Sequence, residues 1–226
     1  MKLARILIGL LAAVSVVSVA SAADLIIDEA PLAQVEQSSW DWAGPYVGAH
    51  LGYAWGQAGV VTTPENIVGD ISGPIYGIFA GVNFQDRTLV YGLEGDFGIS
   101  NVSGVGFPGG DPEEDYYYDM NWNAHARGRV GFATGQVLVF VAGGLAFASH
   151  TLTEEYGKGS VGDDTQIHVG WTVGAGIEVA VTEDVTVRAE YLYDDYGTKT
   201  YVFGNSEEYD AFLTAHTLRV GVSVGF

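Results

Sequence analysis

From Gln166 to Val181 the chain alternates without a miss between two kinds of side chain. Ile167, Val169, Trp171, Val173, Ala175, Ile177, Val179 and Val181 are all apolar, whereas the positions between them are Gln166, His168, Gly170, Thr172, Gly174, Gly176, Glu178 and Ala180. A period of two belongs to a strand whose faces meet different environments. With 48% of the chain hydrophobic, eight hits in one fixed frame arise by chance only about a few times in a thousand.

The end of the chain repeats the pattern. Leu218, Val220, Val222, Val224 and Phe226 share one frame, and Thr217, Arg219, Gly221, Ser223 and Gly225 the other. The same reading predicts strands near 44–55, 74–85, 88–99, 119–133, 137–148, 166–181, 185–196 and 214–226. Their connections alternate in length. Short turns at Gln85-Asp86-Arg87, Thr134-Gly135-Gln136 and Thr182-Glu183-Asp184 separate long loops near 56–73, 100–118, 149–165 and 197–213. The predicted fold is all-β: an eight-stranded antiparallel up-and-down transmembrane β-barrel, with short turns in the periplasm and long loops outside.

The chemistry of the second face separates this reading from a soluble sandwich or lipocalin-like barrel. A soluble barrel turns its apolar face inward and shows water a face rich in Lys, Glu, Thr and Gln. Here the second face carries Gly, Ser and a few charges, which suits a tight polar interior. Export agrees with this. Lys2 and Arg5, an apolar run from Ile6 to Ala20 and the small residues Ala20-Ser21-Ala22 read as a signal peptide over 1–22. Residues 23–39 are then a periplasmic leader and 40–226 the barrel, located in the cell outer membrane. There is no cysteine, which excludes disulfides, thiolate metal sites and a Cys nucleophile. Without Lys2 and Arg5, 7 basic residues face 28 acidic ones. That balance repels phosphates and excludes nucleic acid as a partner.

Directing the apolar frame to lipid places Glu94, Asp96, Arg127, Arg129, Glu178, Arg188, Glu190 and Arg219 in the lumen, with His125 among them. A single charge facing lipid at mid-depth costs about 2–4 kcal/mol, so the alternation that turns these residues inward is a physical requirement. Eight strands leave an interior just wide enough to be filled by side chains, which favours a salt-bridged plug over an ion pathway. Gly92, Gly170, Gly174, Gly176, Gly221 and Gly225 are expected to make room for the arginines.

Trp40, Trp42, Tyr46, Tyr53, Trp55, Tyr91, Phe97, Trp122, Phe132, Tyr191, Tyr193 and Phe226 are expected in two interfacial girdles. Acidic residues gather in the expected outer loops: Asp111, Glu113, Glu114 and Asp115; Glu154, Glu155, Asp163 and Asp164; Glu207, Glu208 and Asp210. Their oxygens offer ligands to divalent cations that bridge to lipopolysaccharide phosphates, although none has EF-hand spacing and solvated, mutually repelling loops are the simpler reading.

No catalytic, cofactor or metal residues emerge. Gly104-Val-Gly106-Phe-Pro-Gly109 matches a dinucleotide fingerprint, yet Pro108, Gly110 and the acidic run from Asp111 to Asp115 follow where a phosphate-binding helix is required. Asn101-Val-Ser103 is a glycosylation sequon without weight in a bacterial export context. His50, His125 and His168 are expected inward, His150 at a loop edge and His216 toward the outer end of the last strand. None pairs with another at a metal-ligand spacing. Ser149-His150 and Thr214 with His216 lack a complete set of nucleophile, base and orienter, so the chain reads as no enzyme.

Three stretches carry a family resemblance. Trp42-Ala-Gly-Pro-Tyr-Val-Gly-Ala-His-Leu-Gly-Tyr53 resembles the opening strand of the small alphaproteobacterial outer-membrane surface proteins, an OmpA-like, porin-family β-barrel group. Arg127-Gly-Arg-Val-Gly131 with Phe140-Val-Ala-Gly-Gly-Leu145, and Val169 to Glu178 leading to Ala189-Glu-Tyr-Leu-Tyr193, are similar to its middle and late strands. The resemblance spans Trp40 to Phe226. It implies a surface protein contributing to envelope integrity and to loop-mediated interaction. Outer-membrane lipids, lipopolysaccharide and the barrel-assembly machinery are the expected partners, with Phe226 expected to serve as the C-terminal assembly signal. A narrow channel, a surface haem receptor and a lipid-acting enzyme are the rival roles; the very acidic loops depart from the family's usual pattern.

Overall fold

The computed structural model describes residues 40–61, 66–106, 114–156, 159–202 and 208–226. The strands are β1 (Gly44–Val61), β2 (Ile67–Asp86), β3 (Leu89–Gly106), β4 (Glu114–Thr134), β5 (Val137–Tyr156), β6 (Gly159–Ala180), β7 (Val185–Val202) and β8 (Glu208–Gly225). Each pairs antiparallel with its sequence neighbour, and β1 pairs with β8 to close the barrel. Closure leaves no free sheet edge, the condition for strands to cross a lipid bilayer. The described strands form a closed eight-stranded antiparallel barrel.

Tight connections lie at one end. Arg87, with φ of 56°, turns the chain between β2 and β3, and Gly135, with φ of 58°, does so between β4 and β5. In the third, the Val181 amide donates to the Val185 carbonyl at 2.8 Å. The start of β1 and the end of β8 lie at the same end, Tyr46 pairing with Gly225.

The strands run well past the expected boundaries, and much of the expected long loops is strand. The apolar frame explains the error. On β1, Val47, Leu51, Tyr53 and Trp55 point outward and are half exposed. Beyond Trp55 the outward residue is Gln57, while Ala58 and Val60 are buried inside. β8 switches likewise: Leu218, Val220, Val222 and Val224 are outward, but Ala211, Leu213 and Ala215 are inward. Such an exchange of faces is what a wall standing in water requires, as in a soluble barrel. Glu154, Glu155, Asp163, Asp164, Glu208 and Asp210 therefore lie on strands, as do the backbones of Glu114 and Asp115. Asp111, Glu113 and Glu207 fall outside the described residues.

The interior is stacked in layers. Trp42, Val90, Ala133, Leu138 and Ala180, with Trp40 against them, form an apolar cluster at the turn end. A larger cluster fills the opposite half, including Ala54, Ile71, Ile75, Val102, Tyr118, Leu152, Tyr201 and Leu213. Charged residues lie between the two.

Candidate functional site: a buried charge layer in the lumen

The eight charged residues expected in the lumen are each 7% exposed or less. Strand alternation brings them together from five strands. Arg127 donates to Glu94 at 2.5 Å and to Glu190 at 2.7 Å, and pairs with Asp96 at 3.3 Å. Arg129 reaches Glu178 at 3.1 Å and Glu94 at 3.5 Å. Arg188 spans Glu94, at 2.6 Å, and Glu178. Arg219 takes Glu190 at 2.8 Å and Asp96 at 3.2 Å. Glu94 is shared by all four guanidinium groups, counting Arg219 at 4.0 Å. Removing charges from water costs several kcal/mol per ion, and this multiplicity of partners offsets that cost.

Other groups complete the layer. The Tyr46 hydroxyl donates to Glu94 at 2.7 Å and accepts from Arg129 at 2.9 Å. His125 lies between Asp96, at 2.8 Å, and Asp194, at 3.2 Å. Arg188 lies over the Phe79 ring and Arg129 over the Phe140 ring, each 4.2 Å from the centroid. Arg219 approaches His50 Nε2 at 3.5 Å. Asp194, which the expected charge set lacks, lies in the same frame of β7 as Arg188 and Glu190, the signal that places it in the lumen.

Several expectations change. Tyr46 and Trp42 are not girdle residues: Tyr46 is buried inside because β1 alternates and the lipid-facing places fall to Val47 and Leu51, and Trp42, ahead of β1, is buried in the turn-end apolar cluster. The interior glycines do not chiefly accommodate guanidinium groups. A Cβ on Gly176 would meet the Phe140 ring at 2.6 Å, one on Gly92 the Asn83 side chain at 2.6 Å, and one on Gly170 the Asp195 carbonyl at 1.8 Å. Gly52 has the arginine neighbour, with Arg219 Cβ 2.7 Å away.

The remaining girdle residues include Tyr53, Trp55, Tyr91, Phe97, Phe132, Tyr191 and Phe226, all exposed on the outer wall. His216 joins them, its ring stacked on Trp55 at 5.9 Å and its Nδ1 2.7 Å from the Tyr191 hydroxyl. His150 is not at a loop edge but fully buried in the outer half of the lumen. The Tyr201 hydroxyl lies 2.7 Å from both His150 Nδ1 and His168 Nε2, able to donate to one and accept from the other. Spacing along the chain could not reveal this trio, which is assembled by pairing across β5, β6 and β7.

The candidate catalytic pairs are not assembled. Alternation sends His150 inward and Ser149 to the opposite face of β5. Thr214 donates to the Gln57 carbonyl at 3.4 Å, while His216 is engaged by Tyr191. Gly104 and Gly106 lie on β3, not before a helix. No group of three His, Cys, Asp or Glu side chains suited to a metal occurs among the described residues.

A closed barrel with a lipid-facing wall, aromatic belts and a charged interior defines an outer-membrane barrel protein. Residues 9–226 match the outer membrane protein beta-barrel domain family, to which the chain belongs. The 25 kDa outer-membrane immunogenic protein of Brucella abortus is 33% identical over 211 residues, covering 92% of this chain and 91% of that one. The 22 kDa outer membrane protein of Rhizobium leguminosarum is 33% identical over 185 residues, covering 82% and 78%. The outer membrane protein OprG from Pseudomonas aeruginosa shares the fold, with a TM-score of 0.58 at 12% identity over 81% of this chain and 96% of that one. Both curated relatives are, by name, outer-membrane proteins.

Proposed function

We propose that the protein is a closed, non-conducting barrel that strengthens the outer membrane and holds its outer connections at the cell surface for interaction. The observation that carries this reading is the layering of the lumen. Four arginines and their carboxylates are locked to one another, and apolar clusters lie above and below them. A conducting path needs wettable walls along its whole length, and an eight-stranded interior has room for little beyond its own side chains. Planar-bilayer recording from folded monomer tests the proposal. Silence at all voltages is expected, and reproducible unitary currents would establish the narrow channel instead.

The same reading makes residues 1–22 the signal peptide, 23–39 a periplasmic leader and the tight-turn end periplasmic. Phe226, 80% exposed beside the β1–β8 seam, is the residue offered to the assembly machinery. Outer-membrane lipids and lipopolysaccharide surround the wall. Divalent cations at the acidic outer end are a further element of the proposal; unchanged heat stability after their removal from native membranes would count against it.

A further inference from the structure

On the outer wall of β3, β4 and β5, just above the Phe97 and Trp122 rings, the sheet is interrupted. Ser100 and Asn101 on β3 oppose the single residue Asn121 between the pairs Ile99 with Trp122 and Val102 with Met120. On the β5 side, Asn121 is again the extra residue, between Met120 paired with His150 and Trp122 paired with Ser149. Bulges bend a strand and re-aim side chains. These two open a groove of about 330 Å³, near the lower end of the roughly 300–1,000 Å³ range of small-molecule sites.

Its lining is polar and nearly free of fixed positive charge. Asn101, Ser103, Asp119, Asn121 and Thr151 line it, with no Lys or Arg. Ser103, Asp119 and Thr151 form one row across three strands. Asn121 donates to Thr151 at 2.9 Å, and Thr151 continues to Thr165 at 2.8 Å. Among the described residues, no side-chain hydrogen bond or ion pair engages Asp119. Beneath, the Phe97 and Trp122 rings lie 5.7 Å apart and mark headgroup depth.

We infer that this groove binds the sugar headgroup of an outer-leaflet glycolipid. Amides, hydroxyls and one carboxylate above an aromatic pair suit a ligand rich in hydroxyl donors and acceptors. Asp119, without a nearby cation, keeps phosphate groups out of the groove itself and directs it to the neutral or amino-sugar part of such a headgroup. Position selects the source: the groove opens sideways from the wall at the upper girdle, where glycolipid headgroups lie. This inference rests on the outer-membrane placement of the barrel and not on whether its lumen conducts.

The test uses the full barrel in phosphatidylethanolamine and phosphatidylglycerol nanodiscs, titrated with rough-type lipopolysaccharide and read by native mass spectrometry. The combined variant Asn101→Ala, Asp119→Ala, Asn121→Ala should lose at least fivefold in retained lipopolysaccharide. The control Thr200→Ala, Asp210→Ala removes an exposed hydrogen-bonded pair on β7 and β8 and should retain it as wild type does. The gel shift on boiling establishes that each variant is folded. Equal retention by the groove variant, equal loss in the control, or equal saturation by the delipidated oligosaccharide would each overturn the inference. Bilayer currents report on the closed lumen separately.

Discussion

Arg188 donates to Glu94 at 2.6 Å across the lumen, joining β7 to β3 over 94 residues of sequence. Glu94 also pairs with Arg127 and Arg129, so it is the shared anion of the layer. Glu94→Ala leaves those guanidinium groups buried with fewer partners. Breaking a buried pair from one side costs about 3–5 kcal/mol. Urea unfolding of the refolded barrel should show a loss of that size, and Glu94→Gln, which keeps an acceptor, a smaller one.

Tyr46 ties the same carboxylate to Arg129 through one hydroxyl. Tyr46→Phe keeps the ring against Phe79 but leaves both partners short of a bond. The expected cost is about 1–3 kcal/mol, read as a lower urea midpoint. Little further loss should appear when Glu94→Gln is already present, because the two changes act on one network.

Glycines on the two faces should respond oppositely. A Cβ at Gly48 would lie 2.4 Å from the Phe79 ring and 2.5 Å from the Val222 carbonyl, whereas one at Gly128 meets nothing within 4 Å. Overpacking costs about 1–3 kcal/mol, so Gly48→Ala should destabilise by about that amount. Gly128→Val should be neutral or stabilising by up to about 1 kcal/mol, through strand propensity and new lipid contact. Paired denaturant titrations check both.

The sequence made the number of strands, their order and the direction of the lumen charges legible, because in the membrane one face must be apolar and the other must take the charge. It hid two things. Wherever the wall left lipid, the apolar frame changed sides, as between Trp55 and Ala58, and a rule that equates apolar with outward ended the strand there. Tyr46 and Trp42 were misplaced for a related reason: an aromatic suits a girdle and a lumen equally, and only its frame relative to Val47 distinguishes them. Partners such as Asp96 with Arg219, or Tyr201 with His150 and His168, depend on which strands meet around a closed barrel, and local spacing carries no trace of that.

The change of frame makes the position of the membrane testable. Val220 lies on β8 between the outward residues Val222 and Leu218 and is 48% exposed, so it should sit deep in the hydrocarbon. Val68, 42% exposed on β2, shares the outward frame of Asp70 and Ser72 at the outer end of the strand and should stand in water. A lipid-facing arginine costs about 2–4 kcal/mol at the bilayer midplane and about 0–1 near the interfaces. Val220→Arg should therefore lower the unfolding free energy in vesicles by about 2–4 kcal/mol, while Val68→Arg changes it by less than about 1 kcal/mol. Equal penalties would mean that the outer half of the barrel is also immersed. The apolar packing of Ala58, Val60, Leu213 and Ala215 inside that half would then have to be explained without water on its outer face.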